Sequence, residues 1–368
     1  MGLLGLSGCG SPSSASVEMS SQTELVKTGS MELQYAENFA VDYYEDGYKM
    51  LTTLPDSKRY LLVPEGQPVP KGLDEDVSIL QEPLQNIYLV ASGVMDMFAS
   101  VDAVDQIRFS GQKQENWYIQ TAKDAMAAGD MIYAGKYSKP DYELLVSEGC
   151  DLAIENRMIT HSPEVVEMLQ SFDIPVMIEY SSYEQHPLGK VEWVKFFGAL
   201  TGKEAEAEEA FAEQTEILEK VESGEKTGKT IAFFYVTSNG LIQVRQSTDY
   251  IPKLIELAGG RYIFEDLEDS GSGRSTLNMQ VEDFYAGARD ADILIYNSSI
   301  DGGVTTLDEL IGKCNILKDF KALQEGQVYC TTNDMYQQSM AIGYLLQDMH
   351  TVLTDDDTAK LRYLFLLQ

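Results

Sequence analysis

The stretch LGKVEWVKFFGALTGKEAEAEEAFAEQTEILEKVE, from Leu188 to Glu222, decides how the chain folds. Its apolar residues recur at helical spacing, while Glu and Lys fill the other face at separations that allow i,i+4 pairs. This pattern predicts one long helix with a loosened turn at Thr201–Gly202. Such a helix either connects two α/β lobes or lies exposed on one large domain, and the flanking sequence has to separate these alternatives.

Strand-like and helix-like segments alternate on both sides of this helix. The strand-like segments include residues 106–111, 150–156 and 174–183 before it, and residues 229–240 and 291–299 after it. Alternation of this kind predicts mainly parallel sheets with helices on their faces. It favours a connector between an N-terminal lobe over residues 31–187 and a C-terminal lobe over 224–368, with the connecting helix over 188–223.

Several segments are assigned from their local pattern alone. Residues 31–73 alternate apolar and polar side chains and predict strands and turns, and residues 77–83 predict a short buried strand. Residues 87–101 predict an amphipathic helix. The last residues, 358–368, predict a further helix.

The two lobes echo each other in sequence. Glu143 begins a helical turn that leads to Cys150–Asn156, and Glu282 begins one that leads to Ala291–Asn297. Both units contain a small residue, Asp, three apolar residues, one variable residue and Asn. The match in letters is weak, but each copy occupies the same place in a strand–helix series, which favours one repeated unit per lobe.

Composition argues against two classes of function. The 59 acidic and 27 basic residues give a formal net charge of −32, which argues against a nucleic-acid partner. The 4 cysteines form no CxxC and the 3 histidines are far apart, so we expect no metal site made by the protein itself. Cys314 and Cys330 are close enough in sequence to pair, or both remain buried thiols.

The N-terminus carries an export motif. Leu6-Ser7-Gly8-Cys9 fits the bacterial lipoprotein pattern, in which an aliphatic residue and two small residues precede the Cys that receives lipid. A Ser-rich tether follows that is too polar to fold by itself. We interpret residues 1–30 as a shortened signal segment, a lipidation site at Cys9 and a tether, which implies anchoring on the outer face of the cell membrane. The alternative is a chance occurrence of these residues.

Four motifs together resemble a known family, the substrate-binding lipoproteins of bacterial ABC importers for iron-siderophores, haem and cobalamin. They are YELLVSEGCDLAIEN (142–156), IEYSSYEQHPLGKVEWVKFFGALTGKEAEAEEAF (178–211), DYIPKLIELAGG (249–260) and VEDFYAGARDADILIYN (281–297). Cys150 stands where the family usually has proline. The resemblance runs from about Val77 to the C-terminus, and the segment before Leu73 matches less well.

The resemblance implies two α/β lobes joined by a single long, rigid helix, with the ligand in the cleft between them. It implies partners as well: a permease and its ATPase, a metal-chelate ligand and the membrane through the lipid anchor, with no cofactor and a monomeric chain. The family docks on its permease through one Glu per lobe, which maps to Glu143 and Glu282. The alternative is that both are acids favoured by a helix N-terminus.

Ligands of such folds bind outside the carboxyl ends of the strands, so the loops that follow the strands supply the candidate site. Arg can bind carboxylate or catecholate oxygens in a bidentate manner, and aromatic rings can stack on a chelate. The candidate ligand-binding residues of this type are Trp117, Tyr118, Arg157, Tyr183, Arg245, Arg274, Asn297 and Tyr336. The alternatives are core packing for the aromatic residues and structural salt bridges for the arginines.

Three functions remain open from the sequence. The first is a lipid-anchored binding protein that delivers a metal chelate to an ABC permease, without catalysis. The second is a two-lobe enzyme similar to chelatases or nitrogenases, but the chain lacks GxSxG, HExxH, a Walker loop and clustered Cys or His. The third is a surface sensor lipoprotein that uses the same fold without a permease.

Overall fold

The computed structural model describes Met1 and residues 25–267, 275–298, 303–356 and 358–368. Cys9 and Arg274 therefore lie outside the described residues. None of the helices in these ranges is long and apolar enough to cross a membrane.

The described chain alternates strands and helices over most of its length. The strands are β1 Lys27–Ser30, β2 Phe39–Tyr44, β3 Lys49–Thr53, β4 Lys58–Val63, β5 Val77–Gln81, β6 Ile87–Leu89, β7 Ile107–Ser110, β8 Ile132–Tyr133, β9 Gly135–Lys136, β10 Lys139–Pro140, β11 Leu152–Glu155, β12 Val176–Ile178, β13 Thr230–Val236, β14 Ile242–Arg245, β15 Arg261–Tyr262, β16 Thr276–Met279, β17 Ile293–Tyr296, β18 Val328–Thr331 and β19 Leu364–Leu366. The α-helices are α1 Val94–Ser100, α2 Gln120–Ala128, α3 Tyr142–Ser147, α4 Pro163–Ser171, α5 Pro187–Thr201, α6 Glu204–Glu222, α7 Tyr250–Leu257, α8 Val281–Ala288, α9 Leu307–Lys313, α10 Lys321–Gln324 and α11 Ile342–Thr354.

The N-terminal segment forms a sheet of its own in the order β1-β2-β3-β4-β5. Its pairs are antiparallel except for β4 and β5, which are parallel. Alternate side chains of β2, such as Phe39 and Val41, point into the core, as the period of two predicts. The strand predicted at residues 77–83 forms as β5, but it completes this first sheet instead of opening the lobe sheet.

The N-terminal lobe is built on a parallel sheet in the order β12-β11-β6-β7-β8. The helix predicted over residues 87–101 is wrong in its first part, where the chain forms β6 and only then α1. Ile87, Tyr88 and Leu89 are all buried, because β6 lies between β11 and β7 with both faces covered. A short strand of this kind has no alternation that would separate it from a helix.

The C-terminal lobe contains a mixed sheet in the order β16-β14-β13-β17-β18-β19, with β15 also paired to β13. Its centre, β13, β17 and β18, is parallel. The helix predicted at residues 358–368 is wrong, because the chain there ends in β19, which pairs antiparallel to β18. The Asp348 carboxylate accepts the backbone N–H groups of Arg362, Tyr363 and Leu364 at 2.9, 2.6 and 3.0 Å and so fixes the extended entry into β19.

The predicted single connecting helix is two helices, α5 and α6. Gly202 adopts φ 71°, a left-handed conformation that ends α5. Helix α6 then folds back, since Lys195 Nζ lies 3.0 Å from Glu208 Oε2 and 4.5 Å from the ring centroid of Phe211. In one continuous helix, residues 195 and 211 would be about 24 Å apart. The connection between the lobes is therefore a helical hairpin.

Helix α5 lies in the centre of the molecule. Every residue from Pro187 to Leu200 is buried, including those on the face that the sequence pattern assigned to solvent. A single apolar cluster surrounds it and contains residues of the N-terminal sheet, both lobes and α6. Helix α6 packs on α11, where Gly343 N donates to Gln214 Oε1 at 3.0 Å. The lobes thus share a core at their junction.

The internal repeat has a structural counterpart. Asp151 Oδ2 accepts the backbone N–H groups of Gln85 and Asn86 at 2.9 and 2.8 Å, just before β6. Asp292 Oδ2 accepts Thr230 N and Thr230 Oγ1 at 2.7 and 2.8 Å, at the first residue of β13. In each lobe the repeated Asp therefore anchors the beginning of a neighbouring parallel strand.

Cys314 and Cys330 are not joined by a disulfide. Both side chains are buried in the apolar cluster of the C-terminal lobe. The Cys330 thiol donates to the carbonyl oxygen of Val304 at 3.6 Å. Of the two alternatives, the structure has the buried thiols.

Candidate functional site

The two lobes meet beside the carboxyl ends of β7 and β18. The fully buried side chain of Gln337, in the loop after β18, reaches the loop after β7. Its Nε2 donates to the Asn116 carbonyl oxygen at 2.8 Å, and its Oε1 accepts the Tyr118 N–H at 2.8 Å. We call Asn116, Tyr118 and Gln337 the lobe latch. It holds loops from opposite lobes at the edge where parallel α/β sheets bind ligands.

The lobe latch brings two predicted site residues together. Tyr118 and Tyr336 form an edge-to-face pair with ring centroids 6.3 Å apart. Both rings remain partly exposed, at 43% and 38%. The Tyr336 hydroxyl accepts Gln337 Nε2 at 2.9 Å, which orients that ring. The pair can offer aromatic edges and faces from both sides of the lobe boundary.

A second contact closes the junction between α1 and α11. Asp96 Oδ2 accepts the Met340 N–H at 2.7 Å, so a carboxylate of one lobe caps the turn that leads into a helix of the other. Burial raises the pKa of Asp96 to about 6, although the bond from Met340 opposes the rise. Sequence reasoning missed this residue, because a single Asp within an apolar helix carries no spacing signal.

Arg157 and Tyr183 form a cationic and aromatic unit at the ends of β11 and β12. The guanidinium carbon lies 4.2 Å from the centroid of the Tyr183 ring. Asn156 fixes the turn at the end of β11, since its side chain accepts Met158 N at 2.8 Å. Among the described residues, no carboxylate oxygen lies within 4.0 Å of the Arg157 guanidinium. The group is thus placed to receive an anion.

Trp117 does not form an open wall of the cleft. Its side chain is 1% exposed and belongs to the core, where its indole N–H donates to Ser110 Oγ at 3.1 Å. The structure corrects the expectation on this point, because Ser110 supplies a buried acceptor that draws the ring inward. The exposed neighbour in this loop is Tyr118.

Arg245 forms a structural salt bridge, which was the alternative to ligand binding for the arginines. Its NH1 lies 3.4 Å from Asp249 Oδ2, and its side chain is 17% exposed. Asp249 also caps α7 by accepting Ile251 N at 2.9 Å. Arg245 is thus committed to an ion pair with Asp249. Asn297 is buried directly after β17, and its backbone N–H donates to the Phe234 carbonyl oxygen at 2.8 Å. Arg274 lies outside the described residues.

Glu143 and Glu282 are both exposed in the first turns of α3 and α8. No cation of the described residues lies within 4.0 Å of either carboxylate. Asp141, and not Glu143, caps α3, since it accepts Leu144 N at 3.1 Å. The carboxylates are therefore available to a partner, and their docking role stays a prediction.

The resemblance motif around HPLG contains a structural clasp that sequence reasoning missed. Glu192 accepts the N–H groups of Gln34, Tyr35 and Ala36 at 2.8 to 3.1 Å. Glu184 accepts those of Glu37 and Asn38 at 2.9 and 3.0 Å and the Trp193 indole at 2.8 Å. Two buried carboxylates thus bind five successive amides. We call Glu184 and Glu192 the carboxylate clasp, and it docks the N-terminal sheet on α5.

Glu155, the last residue of β11, is a buried carboxyl of another kind. Neither of its oxygens has a hydrogen-bond partner among the described residues. Burial raises its pKa to about 8, so the group is largely protonated at neutral pH. It lies on the same face of β11 as Ala153, towards the outer apolar cluster of the lobe, and so does not belong to the cleft.

A cavity of about 370 Å³ opens between the starts of α5 and α7. Tyr35 and His186 line one side, with ring centroids 4.5 Å apart, and Ser247 and Lys253 line the other. His186 Nδ1 accepts Leu188 N at 3.1 Å, and burial lowers the pKa of this His. No group of three His, Cys, Asp or Glu in the described ranges is arranged to hold a metal ion.

No family model matches the chain. Two uncharacterized lipoproteins of Methanocaldococcus jannaschii are similar to it. One is 24% identical over 353 residues, which is 87% of this chain and 81% of the relative. The other is 24% identical over 322 residues, which is 84% of this chain and 79% of the relative.

Solved structures with a similar fold are bacterial binding proteins. A possible iron-binding, periplasmic solute-binding protein of Staphylococcus epidermidis has a TM-score of 0.57 at 17% identity and covers 73% of this chain and 98% of its own. A periplasmic haem-binding protein of Vibrio cholerae has a TM-score of 0.58 at 14% identity, with the same coverage. The predicted two-lobe α/β fold of periplasmic binding proteins is thus confirmed, with a hairpin in place of the single helix.

Proposed function

We propose that this chain is an extracytoplasmic solute-binding protein of an ABC importer, which captures a metal chelate such as an iron-siderophore, haem or a cobalamin-like molecule. The observation that carries the proposal is Arg157. Its guanidinium stacks on Tyr183 at a strand end and has no carboxylate within 4.0 Å among the described residues, in a chain of net charge −32. An unpaired cation among so many acids favours an anionic ligand.

The aromatic residues support a bulky, flat or partly aromatic ligand. Tyr183 lies on one side of the lobe boundary, and the Tyr118–Tyr336 pair lies across it. Tyrosine rings bind a chelate through their faces and supply hydroxyl groups at the rim. The metal would arrive inside its organic chelator, whose own atoms ligate it, so binding requires no catalytic residue and we propose no enzymatic activity.

The names of similar proteins support the transport role. The structural relatives include proteins described as binding iron or haem and one from an ABC-type Fe³⁺-hydroxamate transport system of Saccharomonospora viridis. The sequence relatives are named lipoproteins. These names agree with a lipid on Cys9 and an extracytoplasmic location. The name of an ABC-type transport system agrees as well with docking on a permease, for which we propose Glu143 and Glu282.

Calorimetric titration against haem, cobalamin and ferric catecholate and hydroxamate chelates tests the binding function. We expect saturable binding of at least one chelate, unchanged chemically after release. Arg157→Ala should weaken binding of an anionic chelate roughly 10- to 150-fold, which is the worth of one hydrogen bond to a charged group. The control Arg108→Ala, which breaks an exposed pair with Glu148, should leave affinity unchanged. Absence of binding to every chelate would refute the proposal.

The docking role needs a separate measurement. Charge reversal at Glu143 and Glu282 should abolish uptake through the cognate permease while ligand affinity stays at the wild-type value. Wild-type uptake by the doubly reversed protein would eliminate the docking assignment and leave the binding function intact. Ligand binding by the wild-type protein without any permease-dependent uptake would favour the surface-sensor alternative.

A further inference from the structure

Lys190, in the first turn of α5, is a buried cation that has no counter-ion in the described part of the chain. Lys190 as a whole is 9% exposed, and its ammonium lies 4.7 Å from the centroid of the Tyr250 ring at the start of α7. Among the described residues, no carboxylate oxygen lies within 4.0 Å of it. Lys195 on the same helix is buried too, but it pairs with Glu192 at 3.5 Å and with Glu208 at 3.0 Å.

The ammonium of Lys190 lies at the junction of the two lobes. It acts electrostatically on Glu179, directly after β12, on Asp249, which caps α7, and on Asp96, which bonds to Met340. Burial raises the pKa of all three carboxyls, and the Lys190 charge opposes that rise in each. Asp96 and Glu179 belong to the N-terminal lobe and Asp249 to the C-terminal lobe, so these groups come from both lobes.

Each nearby carboxylate is already committed to another partner. Glu179 Oε2 accepts Ser181 N and Ser181 Oγ at 2.8 and 2.6 Å. Asp249 is held by Arg245, and Asp96 by Met340. None of them therefore turns to meet the ammonium.

The ammonium is not sealed in the core either. Lys190 Nζ has no hydrogen-bond partner among the described residues, and the residue keeps 9% of its surface exposed. A buried ammonium that is neither paired nor sealed is costly to keep, unless a ligand completes its coordination.

We propose that Lys190 is a ligand-binding residue, whose ammonium donates to an anionic oxygen of the ligand, a carboxylate or a deprotonated catechol. The inference rests on the proposed function and specifies its ligand class. Arg157 on Tyr183 and Lys190 on Tyr250 form two cation–tyrosine units, one at the strand ends and one at the floor between the lobes. Together they select chelates with a net negative charge over neutral chelates of the same metal.

Calorimetry with two probes tests the inference: an anionic ferric tris-catecholate and a neutral ferric tris-hydroxamate. Lys190→Met should weaken the anionic chelate by roughly 10- to 100-fold and the neutral one by less than about threefold. Lys190→Arg should restore the anionic affinity to within about fivefold. The control Lys195→Met should lower the melting temperature, since it breaks the pairs with Glu192 and Glu208, and leave both affinities unchanged.

Amine footprinting of the wild-type protein tests the same contact without a variant. Saturating tris-catecholate should protect Lys190 from acetylation, while Lys253, whose side chain is 38% exposed at the cavity beside α7, reacts as before. Equal protection with and without ligand, or an equal loss of both affinities in Lys190→Met, would overturn the inference. If the wild type binds neither probe nor any other chelate, the proposed function fails first, and this inference falls with it.

Discussion

The lobe latch predicts how firmly the two lobes are held together. Gln337→Leu keeps the volume of the side chain but removes both hydrogen bonds across the boundary, at 2.8 Å to Asn116 and 2.8 Å from Tyr118. A buried backbone group left without a partner costs about 1–3 kcal/mol. Opening of the latch should therefore become easier by about 2–3 kcal/mol, which is roughly 30- to 150-fold in the opening equilibrium.

Hydrogen exchange measures this opening directly. The Tyr118 amide is the group that loses its acceptor, so peptides spanning residues 112–119 and 334–340 should exchange faster by that factor. Global unfolding by urea should change much less, because the shared core around α5 is untouched.

Tyr336→Phe is the matched control for the latch. It deletes only the hydroxyl that accepts Gln337 Nε2 at 2.9 Å and leaves both bonds across the lobe boundary in place. Exchange of residues 112–119 should then stay within about threefold of wild type. If Gln337→Leu also left that exchange within about twofold, the lobe contact would be held by packing alone and the reasoning would be refuted.

Two further perturbations test buried carboxyls. Glu192→Ala should lower the free energy of unfolding in urea by about 3–5 kcal/mol, because three N–H groups of residues 34–36 lose a charged acceptor; a loss below about 1 kcal/mol would contradict the clasp. Burial raises the pKa of Glu155 to about 8 from 4.5, so the native state keeps a proton that the unfolded state releases, and stability falls as pH rises from 4.5 through 8. The free energy of unfolding of Glu155→Gln, measured by thermal unfolding, should therefore match that of the wild type near pH 4 and exceed it by about 2–4 kcal/mol at pH 8. Equal free energies of unfolding at pH 8 would contradict a raised pKa of Glu155 in the native state.

Sequence patterning predicted the elements whose signal is local. The alternation of strands and helices and the Asp repeat follow from patterns that a single segment carries. The wrong predictions fall where tertiary contacts decide. Residues 364–366 form a strand because β18 offers an open edge, and Ile87–Leu89 extend because two strands flank them.

The break between α5 and α6 shows a second limit of periodicity. The sequence signal at Thr201–Gly202 was visible, but a glycine within a helical pattern indicates either a tolerated residue or a helix end. The contact between α5 and α6 decides that the helix ends here. A Cβ atom added at Gly198 would lie 2.5 Å from Ala207 Cβ, so the two helices touch at this point. No pattern within either helix encodes that contact.

The candidate site residues were chosen by residue type and position, and their role in ligand binding stays a prediction. Arg157, Tyr183, Tyr118 and Tyr336 follow strand ends, and the structure gathers them around the lobe boundary in pairs. The outcome for Trp117 and Arg245 depended on Ser110 and Asp249, partners whose positions the sequence does not supply. Sequence reasoning missed Gln337, Asp96 and Lys190 for the same reason, since each of them is singled out by its contact with a residue of the opposite lobe.

The hairpin changes how ligand capture should work. A single helix between the lobes would set their separation through its stiffness alone. The distance between the Glu143 and Glu282 carboxylates would then stay nearly constant for that reason. Here α5 is buried within a core shared by both lobes, and the lobe latch and the Asp96–Met340 bond tie the opposite edge. Lobe motion then requires breaking polar contacts at the cleft itself. Under the proposed role of Lys190, an anionic ligand acts on the same junction that holds the lobes, because Lys190 belongs to α5 and contacts Tyr250 of the C-terminal lobe.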